Sequence, residues 1–194
     1  MIFRLLHGKI SVSACFLMVL LCFCIAGCTS KDIQLQDVSV KGVSGTMTIR
    51  MPFDFRNPME PQTFPNGNTI NSVADHNSDF EITINSIHYD REKYKVYNGK
   101  EFEPDLESFS KGMMDSFKKK FSATGGQLED FKVAGFPAKS AVLQRTSKDI
   151  KLNMRFVTFF RGDELWCITI AYKAGEEEFD KAAERILNSI RFDK

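Results

Sequence analysis

Residues 151–173 read KLNMRFVTFFRGDELWCITIAYK. Leu152, Met154, Phe156, Thr158 and Phe160 alternate with Asn153, Arg155, Val157 and Phe159. After Gly162-Asp163, Trp166, Ile168, Ile170 and Tyr172 alternate with Leu165, Cys167, Thr169 and Ala171. A period of two interrupted by a Gly-Asp turn predicts a β-hairpin, and toward its middle both faces of both strands are apolar. A strand with two apolar faces must be kept from water on both, so the hairpin predicts the centre of a sheet covered on its two sides.

Two helical stripes flank this segment in sequence. Upstream, Pro104 precedes Leu106, Phe109, Met113, Phe117 and Phe121, spaced for one helix face. Asp105 and Glu107 open that helix and Lys118, Lys119 and Lys120 close it, which complements the helix dipole at both ends. Downstream, Gly175 breaks the chain before Glu176, Glu177 and Glu178, and the stripe is Phe179, Ala182, Ala183, Ile186, Leu187 and Ile190. Shorter strands are expected at Thr46–Met51, Ile70–Ala74, Phe80–Tyr89, Leu128–Val133 and Ala138–Gln144, with turns at Asn66-Gly67-Asn68 and Asn98-Gly99. Consecutive strands without helices between them predict an antiparallel meander.

The amino terminus has a different character. Arg4 and Lys9 precede an apolar run from Ile10 to Ile25, which closes on Ile25-Ala26-Gly27-Cys28. Basic start, apolar middle and small residues at a cut site predict a secretory signal peptide over residues 1–27, and the run is shorter than the roughly 20 residues of a spanning helix. The Ile-Ala-Gly-Cys string resembles the lipobox of bacterial lipoproteins. That resemblance implies cleavage between Gly27 and Cys28, a diacylglyceryl group on the Cys28 thiol, and further acylation, such as palmitate, of the new amino terminus. Two or more chains anchor a protein durably where one is marginal. The implied location is the cell membrane or outer membrane, facing periplasm or exterior, and Thr29 does not match the sorting signal for inner-membrane retention. Residues 28–36 read as a short polar tether, and residues 37–194 as a single domain.

Removing residues 1–27 leaves 167 residues, enough for one real core, and takes Arg4 and Lys9 with it, so the formal net charge falls from +1 to −1. A near-neutral chain has no electrostatic reason to seek nucleic acid. Cys15, Cys22 and Cys24 leave with the signal and Cys28 takes lipid, so Cys167 has no intramolecular disulfide partner.

From Asp105 onward the chain resembles the PsbP-like superfamily. The resemblance is carried by the helix Leu106–Phe121, Leu128-Glu129-Asp130-Phe131, the Ala134-Gly135-Phe136-Pro137-Ala138 turn, the strands through Trp166-Cys167-Ile168-Thr169-Ile170, and the last helix with its Ser189-Ile190-Arg191-Phe192 tail. It covers about half of the mature chain. It implies an α+β fold with an antiparallel sheet sandwiched between helices, α/β/α, and a binding role like that of the DcrB-like envelope lipoproteins, although a fold does not by itself transfer a function.

Few residues suggest chemistry. Asp75, Asn77, Asp79 and Glu81 alternate like the start of a calcium loop, but Phe80 and Ser86 stand where that loop needs Gly and a bidentate acid. Arg161-Gly162-Asp163 spells an adhesion tripeptide, yet a hairpin tip wants Gly and Asp for backbone reasons alone. His76, His88 and Cys167 are too scattered for zinc, and a cysteine between Trp166 and Ile168 reads as core, not as nucleophile. Neither a Gly-x-Ser-x-Gly elbow nor a phosphate loop is present. No catalytic residue, metal or cofactor is expected. The surface candidates are Lys118, Lys119 and Lys120, a run of cations joined by Lys111 that either complements the helix dipole or touches anionic headgroups. Phe53, Phe55 and Phe64, in the stretch Met51–Pro65, either close the core edge or line an exposed groove. The expected function is a non-enzymatic binding or assembly module, held on the bilayer through Cys28 and working with an envelope protein partner. The alternatives are a small-ligand or lipid carrier and, less favoured, an envelope hydrolase.

Overall fold

A computed structural model describes residues 33–56 and 59–193. The hairpin forms as expected: β9 (Ile150–Arg161) and β10 (Glu164–Lys173) run antiparallel, with Trp166 opposite Phe159 and Ile168 opposite Val157. On its other edge β10 takes β5 (Phe80–Tyr89), again antiparallel, with Ile168 opposite Ile84. β5 continues to β4 (Asn68–His76) and the two-residue β3 (Gln62–Thr63). β9 continues to β8 (Phe136–Ser147), which also pairs with β7 (Glu129–Val133) and β6 (Thr124–Gly125). The result is one sheet of eight antiparallel strands with β10 near its middle.

One face of this sheet carries Leu143, Met154, Phe156 and Cys167, packed with Met114, Met113 and Phe117 of α2 (Leu106–Phe121). The helix starts where Asp105 accepts the Ser108 N–H at 3.0 Å and stops where Ser122 turns left-handed at φ 51°. Its small Ser110 comes close enough to meet Thr158 of β9, hydroxyl to hydroxyl at 2.5 Å, so neither buried oxygen lacks a partner. The Cys167 thiol is wholly buried on this face, and burial pushes its pKa up to about 12.

α1 (Arg91–Asn98) was not foreseeable from periodicity, because none of its residues is buried and it has no apolar stripe. Asp90 caps its start through the Lys93 N–H at 3.1 Å. The expected Asn98-Gly99 turn is its left-handed close, with Gly99 at φ 68° and its N–H on the Lys95 carbonyl. Tyr94 is its one link to an aromatic cluster in which Tyr89 and Phe102 stack at 4.2 Å.

The opposite face corrects the expected architecture. β1 (Gln36–Lys41), β2 (Thr46–Met51) and β11 (Arg191–Phe192) form a second, three-stranded antiparallel sheet, in the order β1-β2-β11. Val38, Val40, Met47, Ile49 and Met51 project from it into the main core, beside Phe179, Ala182, Ala183, Ile186 and Leu187 of α3 (Glu177–Asn188). The protein is therefore mostly β, with sheets of three and eight strands, and not a sheet sandwiched between helices. The reason lies in the pairing of two segments. Thr46–Met51 is a strand, as expected, but the alternating run Asp37-Val38-Ser39-Val40-Lys41 supplies it with a partner, and the resulting ribbon has an apolar face of its own to bury. That face takes the area a helical layer would have covered.

Ile33 and Leu35, within the stretch 28–36 that reads as a tether, belong to the fold. Ile33 is 8% exposed within this core, its carbonyl accepts the Arg185 guanidinium at 3.3 Å, and the Leu35 carbonyl accepts Arg50 at 3.1 Å.

A buried carboxylate joins the small sheet to the large one. Glu164, 0% exposed at the start of β10, accepts the Val43 N–H at 2.8 Å, the Ser44 N–H at 3.1 Å and the Ser44 hydroxyl. Gly42 lets the turn come this near: a Cβ there would lie 2.5 Å from the Glu164 carboxylate and 2.6 Å from the Trp166 ring. Phe192 fastens the third strand, 5.5 Å from Trp166 and 6.0 Å from Phe159, with the Arg161 guanidinium 4.8 Å over its ring.

Glu164→Ala is expected to cost about 2 kcal/mol, the scale for charge-assisted hydrogen bonds lost with their acceptor, read as a lower urea midpoint at unchanged slope. Cys167, for its part, should resist iodoacetamide in the native protein at pH 8 and react once urea unfolds the chain; labelling at equal rates in both states would contradict its burial.

Candidate functional site

The two sheets do not meet along their whole length. On the side of β1 away from β2 a groove opens, with a volume of about 670 Å³, between Ser39–Val43 on one wall and Asn71, Ser72 and Val73 of β4 on the other. This is within the range of about 300–1,000 Å³ usual for ligand sites. Asp54, Phe55, Met59, Glu60 and Pro61 border it from the chain that follows β2.

That chain is strapped along β4. Phe53 and Phe55 pack against the main core, edge to face at 6.4 Å. Arg56 grips Asp75 with its side chain and donates its backbone N–H to the same carboxylate at 3.0 Å. These bonds hold the Asp75 carboxyl well below the usual carboxylate range. Met59 donates to the Ser72 carbonyl at 3.3 Å, and Gln62 and Thr63 pair with Ile70 and Thr69. Thus the outer edge of β4 is occupied by the strap, while Met59 stays 55% exposed at the groove and Phe64 is 43% exposed beyond it.

The groove's lining is mixed. Val40, Phe55 and Val73 offer apolar surface; Ser39, Lys41, Asp54, Glu60, Asn71 and Ser72 offer polar groups. The Ser72 hydroxyl is already donated to Asn85 at 2.6 Å and Asp54 accepts the Phe55 N–H at 2.8 Å. Neither Asp54 nor Glu60 has a cationic partner among the described residues.

The other candidates are dispersed. Asp75, Asn77, Asp79 and Glu81 lie around the β4–β5 turn, where Asn77 accepts the Asp79 and Phe80 N–H groups at 2.9 and 2.8 Å, and Glu81 pairs with Arg145 at 2.7 Å. Their oxygens serve the turn and two arginines, and no cluster of three or more metal-binding side chains occurs among the described residues. In Arg161-Gly162-Asp163 the two charges point to different neighbours: Arg161 donates to the Ser44 carbonyl at 2.6 Å, and Asp163 pairs with Arg91 at 2.6 Å. The tripeptide is a structural fastener at this hairpin tip. His76 is exposed near Asp75, whereas His88 stands opposite Glu164 in the β5–β10 ladder. Cys167, three residues from Glu164, faces the other side of the sheet, so His88 and Cys167 cannot act together.

Lys118, Lys119 and Lys120 occupy the last turn of α2, where Lys118 reaches the Gly126 carbonyl at 3.4 Å. They sit on the face of the main sheet opposite the one that holds Ile33. Gly27 and Cys28 lie outside the described residues. Of Phe53, Phe55 and Phe64, which the sequence offered as closing the core edge or lining an exposed groove, Phe53 and Phe55 pack against the core and Phe55 alone lines this groove. The walls from β1 and β4 were not foreseen, and the one available signal was the alternation of Val38 and Val40 with Ser39 and Lys41.

No family model matches the chain, and no curated protein matches it. Two solved structures are similar over most of its length. A protein of unknown function from Pseudomonas aeruginosa, a putative regulator, has 12% identity and a TM-score of 0.37, with 78% of this chain and 96% of that one covered. LpqN from Mycobacterium tuberculosis, described as involved in cell envelope biogenesis, has 12% identity and a TM-score of 0.42, with 84% and 94% covered. At these values neither likeness assigns a family or a task, and the PsbP-like resemblance gains no family match.

Proposed function

We propose that this chain is a membrane-tethered, non-enzymatic binding module of the cell envelope, held by lipid on Cys28 and presenting the groove beside β1 to a protein partner. The observation that carries this reading is the position of Ile33. Among the described residues it is the first in the core, five residues beyond Cys28, and five residues span at most about 17 Å. A groove whose wall starts at Ser39 is therefore displayed within short reach of the bilayer. The carboxylates of Asp75, Asp163 and Glu164 are engaged in holding turns and loops, and His88 and Cys167 are divided by the sheet, which favours binding over acid–base or nucleophilic chemistry.

A small-ligand or lipid carrier would use the same groove. Its open, half-polar lining suits a peptide surface better than an acyl chain, which needs an enclosed apolar cavity.

The test is cross-linking of the native protein in its membranes, followed by identification of what co-purifies. A specific envelope protein is expected, and Cys28→Ser should abolish its capture by releasing the chain from the membrane or leaving it as precursor. Capture of nothing under several growth conditions would remove the module reading. A Lys118→Glu, Lys119→Glu, Lys120→Glu triple variant is expected to leave the membrane cross-links within about twofold of the parent, because those lysines complement the α2 dipole on the face away from Ile33. A larger loss would move the membrane contact to that helix end.

A further inference from the structure

The groove differs from an ordinary cleft in what forms its near wall: a β-strand edge to which no other described strand bonds. β1 pairs with β2 over all of Gln36–Lys41, and Ser39, Val40 and Lys41 line the groove while no residue of β2 does, which places it along the other edge at the second half of β1. In an antiparallel ladder about half of a strand's N–H and C=O groups point away from its partner. Among the described residues no backbone group other than those of β2 bonds to 36–41. Proteins usually block such edges with proline, bulges or inward charges. β1 contains no proline, and its inward residues are Val38 and Val40. By contrast, the facing edge of β4 is already closed by Met59, Gln62 and Thr63.

We propose that this edge takes an extended peptide segment of an envelope protein by strand addition, so that the partner becomes a fourth strand of the small sheet. The proposal rests on the binding-module reading and names its partner's chemistry. A six-residue strand spans about 20 Å and matches β1 in length. Every second side chain of the added strand would point the same way as Val38 and Val40, toward Phe55 and Val73, and should be apolar. Those between would lie beside Ser39 and Lys41 and should be polar. Charge adds a further requirement. Asp54 and Glu60 are exposed carboxylates without a cationic partner on the loop wall, so the segment should carry a basic residue that meets them. Main-chain hydrogen bonds would supply affinity, and the apolar–basic pattern would supply selectivity.

The probe is a fluorescein-labelled synthetic hexapeptide with the sequence of Thr46–Met51. That sequence already pairs with β1 on its other edge, has the required alternation, and carries one arginine. Binding to the full-length protein in detergent micelles is read by fluorescence polarisation, and its location by amide hydrogen exchange. Saturable binding is expected, with exchange in residues 36–41 slowed at least tenfold. The same peptide methylated on alternate backbone nitrogens should bind at least tenfold more weakly. Asp54→Lys with Glu60→Lys should weaken the arginine peptide about fivefold and leave an uncharged analogue unaffected. Equal binding of the methylated peptide, protection confined to residues outside 36–41, or displacement of the peptide by a short-chain phospholipid would each overturn strand addition. So would concentration-dependent dimerisation that protects 36–41 without peptide, since the edge would then serve a second copy of this chain. Absent peptide binding with membrane cross-links retained removes strand addition alone; peptide binding with no partner captured in membranes removes the module reading alone.

Discussion

Strand β10 has neighbours on both edges and water on neither face. Leu165, Cys167 and Ala171 must be covered from one side, and Trp166, Ile168, Ile170 and Tyr172 from the other. At about 25 cal/mol per Å² of buried apolar surface, leaving either side bare would remove a large share of the stability available to a domain of this size. Everything else can be read as an answer to that demand. α2 and the Tyr89–Phe102 cluster cover one side. The ribbon of β1 and β2, together with α3, covers the other. Glu164 and the Phe192 ring then hold the second sheet against the first at the end where β10 begins.

Sequence patterning revealed these demands better than it revealed who would meet them. The hairpin 150–173, α2 and α3 are legible because each has its own period and its own boundary residues: Gly162-Asp163, Asp105 and Gly175. The β-strands at Thr46–Met51 and Phe80–Tyr89 are legible for the same reason. What covers the second face is not a local property. Whether Val38 and Val40 belong to a tether, to the main sheet or to a sheet of their own depends on partners more than a hundred residues away, Glu164 and Trp166 among them. α1 was hidden differently, since Arg91–Asn98 has no buried residue and a helix held by its caps, Tyr94 and ion pairs leaves no hydrophobic period.

The two main walls of the groove were illegible for a related reason. These walls come from β1 and from β4, about thirty positions apart, and the strap between them is fixed by an ion pair of Arg56 with Asp75, the latter noticed only as part of a failed calcium motif. Asp75 and Arg161-Gly162-Asp163 share a lesson. Both drew notice as possible ligand sites, and both are used to bring distant segments together. Cys167 has no disulfide partner among the described residues, and there side-chain carboxylates and guanidiniums hold distant segments together.

Among the described residues β1 is also the first element after the start of the fold at Ile33. Tension arriving through Ile33 enters at Gln36, which is paired with Met51 at the open end of the β1–β2 hairpin, not at its Gly42–Gly45 turn. Hydrogen bonds loaded from an open end break in sequence, so they yield at lower force than the same bonds sheared together. A pull on the chain ahead of Ile33 would therefore act first on the seat of Ile33 in the core and its bond to Arg185, and next on the strand that walls the groove, so the groove would yield before the eight-stranded sheet is loaded.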